Sequence, residues 1–397
     1  MLTEEYLHTS ANNPNKQKDS AMKNLPLFIS FGLFLCACSN ADRQKITVSN
    51  PLAIDRSSET VELSLSDLAG KIEELDPLNM VITDQKGTEV PSQLIYEGST
   101  EPVALIFQAK VSANSKSIYY LVKNKPVEYG MQTFGRFVPE RMDDYAWEND
   151  RIAFRIYGTA LIEKDGPSNG LDVWIKRTDR LVIDRWYADY LSGKNTYHDD
   201  NGEGCDCFKV GRTLGAGAMA PFVNDSLWLA INFESHQTLD NGPIRTSFRL
   251  KYPPFLVNGT MVTETRTISL DAGSQLTCIT AEYTGMENDF PVAAGIVKRP
   301  EGKVLDMPSE TDAIAYRLDG GDGGITYVGT VLTTPPAIKA EIDDHILIVT
   351  TYTPGKPLTY YTGAGWSKWG FETDQSWTDY LSEYNLKLQN PLKVTID

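Results

Sequence analysis

Short apolar runs rich in β-branched residues, separated by Pro, Gly, Asn and Ser, fill the chain from Lys45 onward. Up to Lys125 they read KITVSNP, ETVELSL, NMVITD, VALIFQAKVSA and SIYYLVKN, the pattern of a small antiparallel sandwich. After a linker, KNKPVEYG, the runs lengthen: IAFRIYG, LDVWIKR, RLVIDRWY, SLWLAINFES, IRTSFRLKY, MVTETRTISL and QLTCITAEYTG. AIAYRLDGG, GITYVGTVL, HILIVTTYT and LTYYTGAG follow. Strand alternation puts Leu171, Val173 and Ile175 on one face, with Asp172, Trp174 and Lys176 on the other. In SLWLAINFESH it turns Leu227, Leu229, Ile231 and Phe233 inward, and Trp228, Asn232, Glu234 and His236 outward. Long strands with aromatic and polar outer faces predict a sheet lining an open cleft, with Trp174, Lys176 and Trp228 as candidate sugar contacts. Helical spacing is convincing only at the end, where Trp377, Leu381, Tyr384 and Leu388 follow a Thr373-Asp374 start. The prediction is all-β: a small N-terminal β-sandwich over 41–127, then a large antiparallel β-supersandwich over 128–397 with a short C-terminal helix.

The amino end changes what the mature chain is. MKNLPLFISFGLFLCACSN, from Met22, has one lysine, an apolar run too short to span a bilayer, and small residues ahead of Cys38. Leu35-Cys36-Ala37-Cys38 resembles the bacterial lipobox, which implies an exported lipoprotein with Cys38 as its lipidated amino terminus. Residues 1–38 are then an extension plus signal, and membrane contact runs through the lipid anchor alone. Cys205, Cys207 and Cys278 remain, an odd number that leaves at least one free thiol. A bridge from Cys205 or Cys207 to Cys278 stays open.

Charge narrows the partners. The 397 residues carry a net charge of −16, the wrong sign for gripping phosphate backbones, so nucleic acid is disfavoured. No G-x-S-x-G elbow, H-E-x-x-H, Walker loop or zinc-spaced cysteine set occurs. Three segments concentrate chemistry. Phe134–Gly158 carries Arg136, Glu140, Arg141, Asp143, Asp144, Trp147, Glu148, Asp150 and Arg151. This mixture serves sugar hydroxyls and carboxylates, or equally a surface ion-pair network, with Arg136 and Arg141 the preferred functional pair. Thr196–Phe222 crowds His198, Asp199, Asp200, Glu203 and Asp206 between glycine turns. It reads as a Ca²⁺ loop in which Glu203 and Asp206 are ligands, as a carboxylate-held histidine, or as an acidic solvated loop. The glycine-rich descent Gly211–Gly217 beside it lets backbone approach a ligand. Finally, GAGWSKWG sets Trp366, Lys368 and Trp369 between glycines, as a sugar platform or as packing for the last helix. His345, in an Asp-Asp-His turn, reads as solvated surface.

FVPERMDDYAWENDRIAFRIYG, GLDVWIK, YHDDNGEGCDCFKVGRTLGAGA and YYTGAGWSKWG together resemble a family of exported proteins from glycan-degrading bacteria, long filed as a domain of unknown function. The family recurs in gene clusters for polysaccharide use. One branch is similar to an ulvan-oligosaccharide dehydratase that removes water from a non-reducing-end uronic acid. VTETRTISLDAGSQLTCITAEYTG resembles the strand pair of galactose-mutarotase-like supersandwiches. The resemblance implies an acidic oligosaccharide substrate and a dehydratase, a carbon–oxygen lyase. Such an elimination needs a cation on the carboxylate, a base at the adjacent carbon and an acid for the departing hydroxyl. Arg136 or Arg141 are candidates for the first, His198 or His236 for the second and Tyr197 for the third. Glu203 and Asp206 would orient the histidine or hold a cation. A polysaccharide lyase or hydrolase, and a non-catalytic surface glycan-binding lipoprotein, are the rival expectations.

Overall fold

The computed structural model describes residues 43–72, 75–334, 338–342 and 344–397. The signal segment and Cys38 lie outside the described residues. The expected all-β architecture is what the chain adopts. Sheet one of the small sandwich is ordered Lys393–Ile396, Arg43–Ser49, Lys116–Lys123, Met80–Asp84 and Glu89–Val90. Sheet two is Arg56–Ser64, Ala104–Val111 and Ser92–Ile95. Ile46, Val48, Leu63, Leu105, Phe107 and Leu121 fill the space between them. The chain's last strand thus pairs with its first described one, Ile46 opposite Ile396.

The supersandwich is built on a nine-stranded antiparallel sheet running from Ser235–Asp240 through Thr260–Asp271, Leu276–Thr284 and Leu358–Trp366 to Gly302–Leu305. In Thr260–Asp271 the even positions from Val262 to Leu270 are buried and the odd positions are only partly covered, the period of a strand with one core face. Facing it are two five-stranded sheets. One contains Ala216–Val223, Phe290–Val297 and His345–Tyr352. The other is ordered Gly204–Cys205, Asp172–Lys176, Ile152–Ile156, Asp144–Asn149 and Thr133–Val138. Phe154, Val173, Phe248, Ile268, Val292 and Leu347 share the resulting core. On the far side of the large sheet lies the terminal helix Asp374–Gln389, starting after Thr373 as the sequence predicts and closed by a capping box between Thr373 and Ser376. Its own Trp377 and Leu381 are fully buried against the sheet.

Four local expectations are corrected. RLVIDRWY, read as a strand, contains the start of a helix, Ile183–Leu191. Ile183, Trp186, Tyr187 and Tyr190 line one helical face, and the Glu148 carboxylate accepts the Val182 and Ile183 N–H groups at 2.7 Å each. SLWLAINFES is a strand only over Ser226–Leu227. Beyond it Ile231 is exposed, and buried Asn232 accepts from the Ser168 N–H and donates to the Gly158 carbonyl, tying together loops that a strand would separate. His345 is not solvated: it is 4% exposed, and its Nε2 accepts the Leu214 N–H at 3.1 Å. The glycine descent serves packing. A Cβ on Gly215 would sit 2.2 Å from the Leu171 oxygen, and one on Gly217 1.9 Å from Thr362 Oγ1, so these glycines let the chain cross the sheets closely. Cys205, Cys207 and Cys278 are all free thiols.

Candidate active site around His198 and Arg155

Strand alternation along the Thr133–Asn149 hairpin and its two neighbours sets up the site. Tyr145, Trp147, Phe154 and Val173 point into the main core, so Asp144, Glu148, Arg155, Asp172, Trp174 and Lys176 all face outward. That outer face is roofed. Helix Ile183–Leu191 and the following turn lay Trp186, Tyr187 and Tyr197 across Trp174, whose ring stacks on Tyr197 with centroids 4.9 Å apart. Small Ala146 and Ala153 in the neighbouring strands belong to the same cluster.

Arg155 sits at the centre, 3% exposed. Its Nη2 lies 2.7 Å from Asp206 Oδ2 and 2.5 Å from Asp172 Oδ2, and its Nη1 donates to the Tyr197 hydroxyl at 3.1 Å. Arg141 donates from Nε to the same hydroxyl at 3.2 Å, while its Nη1 makes no hydrogen bond and lies 3.9 Å from Asp144 Oδ2. Tyr197 therefore accepts from two guanidinium groups, and at 3% exposure it can give its own proton only to a group that enters the buried network. Asp206 Oδ2 also lies 3.2 Å from His198 Nδ1. The His198 side chain is 48% exposed, so its second nitrogen is the group nearest solvent in an otherwise buried network.

Electrostatics follow from burial. Three buried carboxylates, Asp144, Asp172 and Asp206, surround the buried Arg155 guanidinium. Burial pushes Asp144 up to about 6 against the pull of Arg155 and Arg141. Burial and the neighbouring Asp206 charge push Asp172 up to about 7. The hydrogen bond that the His198 imidazole donates to the Asp206 carboxylate raises His198 above its ordinary value, against the opposing effect of burial. Tyr197 is raised by burial, with the two arginines pulling the other way.

The turn that delivers Arg141 and Asp144 is strained. Met142 and Asp143 both hold left-handed backbone, φ 51° and 63°, and Gly158 passes so close that a Cβ there would lie 1.9 Å from the Asp143 oxygen.

Arg141, Tyr197, His198 and Asp206 thus come together. The other candidates go elsewhere. Arg136 is paired on the surface with Asp184 and Glu140, both at 2.6 Å. Trp174 and Lys176 are buried under the helix, with the Lys176 ammonium 2.7 Å from Glu148 Oε2, so neither offers surface to a sugar. Trp228 donates its indole N–H to the Val223 carbonyl and packs on the core. Trp366 is 2% exposed, with Arg177 and Lys368 over its ring, and Lys368 comes within 3.9 Å of Asp200. His236 stacks on Phe137 at 4.1 Å in a different depression of about 280 Å³, beside Asp143 and Glu234. A calcium ion does not fit the acidic loop. Glu203 is held by Arg180 and Arg185, Asp200 by Arg177 and Asp206 by Arg155, and among the described residues no three potential ligands converge.

A sequence profile of the domain of unknown function DUF4861 matches residues 48–394. The chain belongs to this family. It is 31% identical over 384 residues to "Uncharacterized protein P7" of Formosa agariphila, a match covering 91% of this chain and 95% of that one. Among solved structures it resembles a protein in glycosyl hydrolase family 38 from Enterococcus faecalis, with TM-score 0.50 and 10% identity over 89% of this chain. An alpha-mannosidase from E. faecalis V583 follows at TM-score 0.49 and 10% identity. The chain spans about half the length of these two structures, 47% and 46%, and at such identity the likeness is one of fold. In this DUF4861 protein the centre of the site, Arg155, escapes sequence reading because IAFRIYG looks like an ordinary core strand. The available signal was a lone arginine inside an apolar run, which burial has to pair.

Proposed function

We propose that the protein acts on acidic oligosaccharides, removing water by elimination from a non-reducing-end uronic acid. The observation that carries this reading is the half-exposed His198 held at Nδ1 by Asp206 and packed on the ring of Tyr197, whose hydroxyl in turn accepts from Arg141. In the proposed reaction His198 Nε2 takes the proton from the carbon next to the carboxylate. Arg141 neutralises that carboxylate, which makes the carbon acid stronger. The electron pair forms the C4–C5 double bond as the C4–O bond breaks, and Tyr197 protonates the departing hydroxyl to give water. Protonated His198 then returns a proton to the Tyr197 phenolate, their rings being 4.6 Å apart, and both groups are restored. The family-38 likeness of the fold is compatible with a carbohydrate ligand. Export and lipid anchoring at Cys38 belong to the same proposal, as does the absence of a nucleic-acid partner.

A second base, His236, is favoured by one observation: it lines a depression of about 280 Å³, whereas the smaller pocket of about 80 Å³ beside Tyr197 is not lined by His198. Incubating the protein with uronate-terminated oligosaccharides decides between these readings. Loss of one water, with new ultraviolet absorbance that disappears in His198→Ala while binding persists, is the expected result. Retained turnover in that variant together with loss in His236→Ala moves the base to His236. Chain shortening identifies a lyase or hydrolase, and binding without mass change identifies a non-catalytic glycan-binding protein.

A further inference from the structure

A large depression away from the His198 centre plays no part in that chemistry. It has a volume of about 500 Å³ and lies where the small sandwich, the outer face of the large sheet and the terminal helix meet. This is within the size range of small-molecule sites, about 300–1,000 Å³, and such sites favour junctions of this kind. Tyr361 enters it from the sheet, and Tyr380 and Tyr384 from the helix. All three rings are partly exposed, with Tyr361 and Tyr384 centroids 5.3 Å apart and Tyr380 and Tyr384 5.9 Å apart. The opposite rim brings hydroxyls and an amide: Ser58, Thr60, Gln108 and Ser269.

The charges in this groove are already paired. Arg245 holds Asp271 through two hydrogen bonds, at 2.6 and 3.0 Å, and reaches Glu62 at 2.7 Å. Glu59 is paired with Arg56, and Lys387 with Glu383. An anionic ligand would find no unpaired cation there. A purely apolar ligand would cover the serine and threonine hydroxyls without replacing their water, at a cost. Rings that can stack on C–H faces, set opposite hydroxyl and amide groups without free charge, suit a neutral polyhydroxylated ligand.

From this complementarity we infer that the groove is a second carbohydrate-binding site, selective for uncharged saccharides and independent of the His198 centre. Isothermal titration of the full chain with neutral tetrasaccharides of glucose, mannose, galactose and xylose tests it. At least one should bind, and Tyr361→Ala should weaken that binding about tenfold, the scale of one lost aromatic contact. Ser58→Trp, which fills the groove from an exposed rim position without touching the core, should abolish it. Turnover of uronate-terminated substrate should be unchanged in both variants, and His198→Ala should leave neutral-sugar binding intact. No binding by any of the four sugars, or binding indifferent to both substitutions, overturns the inference. Failure of the dehydratase reading would leave this result unaffected, since the titration requires no turnover.

Discussion

Replacing Arg155 by methionine is the sharpest test of how the site is built. The guanidinium lies within 2.7 Å of Asp206 and 2.5 Å of Asp172, and both carboxylates are almost completely buried. Methionine keeps most of the volume but leaves these acids without a counter-charge. Removing one partner of a buried ion pair typically costs about 3–5 kcal/mol. The cost should depend on pH, with a definite sign. Asp172 already has its folded-state value pushed up to about 7, far above the unfolded value, and loss of Arg155 pushes it higher. A carboxylate raised in the folded state contributes stability at low pH that is lost as pH rises toward its folded value. At pH 5.5 the variant can therefore protonate Asp172 and relieve part of the defect, whereas at pH 7.5 it does so less readily. Each pH unit over which one extra proton is held is worth about 1.36 kcal/mol, so the variant's own stability should fall by up to roughly 2.7 kcal/mol between the two conditions; wild-type Asp172 already holds a proton over most of that range, so the destabilisation relative to wild type should grow by about 0.8 kcal/mol. Urea unfolding of wild type and variant at both pH values measures this, and adding Asp172→Asn to the variant should recover part of the loss. A destabilisation below about 1 kcal/mol, or one equal at the two pH values, would refute the charge argument.

Two further outcomes follow from the same geometry. If His198 is the base, kcat/KM for a uronate-terminated substrate should rise with pH through a limb above 6.5, because Asp206 raises the imidazole. Asp206→Asn should move that limb downward, and an unmoved limb would detach Asp206 from His198. His345 is lowered by burial, against the opposing pull of Asp344, and it must stay neutral at Nε2 to accept the Leu214 N–H. A histidine depressed in the folded state gives stability that is present above its unfolded value and lost as pH falls. Wild type should therefore melt at lower temperature at pH 5 than at pH 7. His345→Gln, which keeps an acceptor without the charge, should flatten that dependence, and an undiminished pH slope in the variant would remove His345 as its source.

What the sequence by itself determined was local: strand periodicity, turn residues and the capped terminal helix. Runs such as MVTETRTISL alternate because one face of each strand meets the core, and that alternation survives folding unchanged. The chemical types gathered in Arg141, Tyr197, His198 and Asp206 were also legible, since few other residues of the chain combine base, acid and cation within short segments. Periodicity says which residues share a face but not what covers it. Asp172, Trp174 and Lys176 do face away from the core, as alternation requires, yet a helix hidden in RLVIDRWY closes over them and turns apparent ligand contacts into buried structure. Pairing is likewise decided in three dimensions. Arg155 and Asp206 are 51 positions apart, and Glu203 is held by Arg180 and Arg185, so the loop read as a cation site is already neutralised by arginines. Burial then sets the pH behaviour of each group, because the loss of water and the nearness of opposite charge arise only once distant strands are packed together.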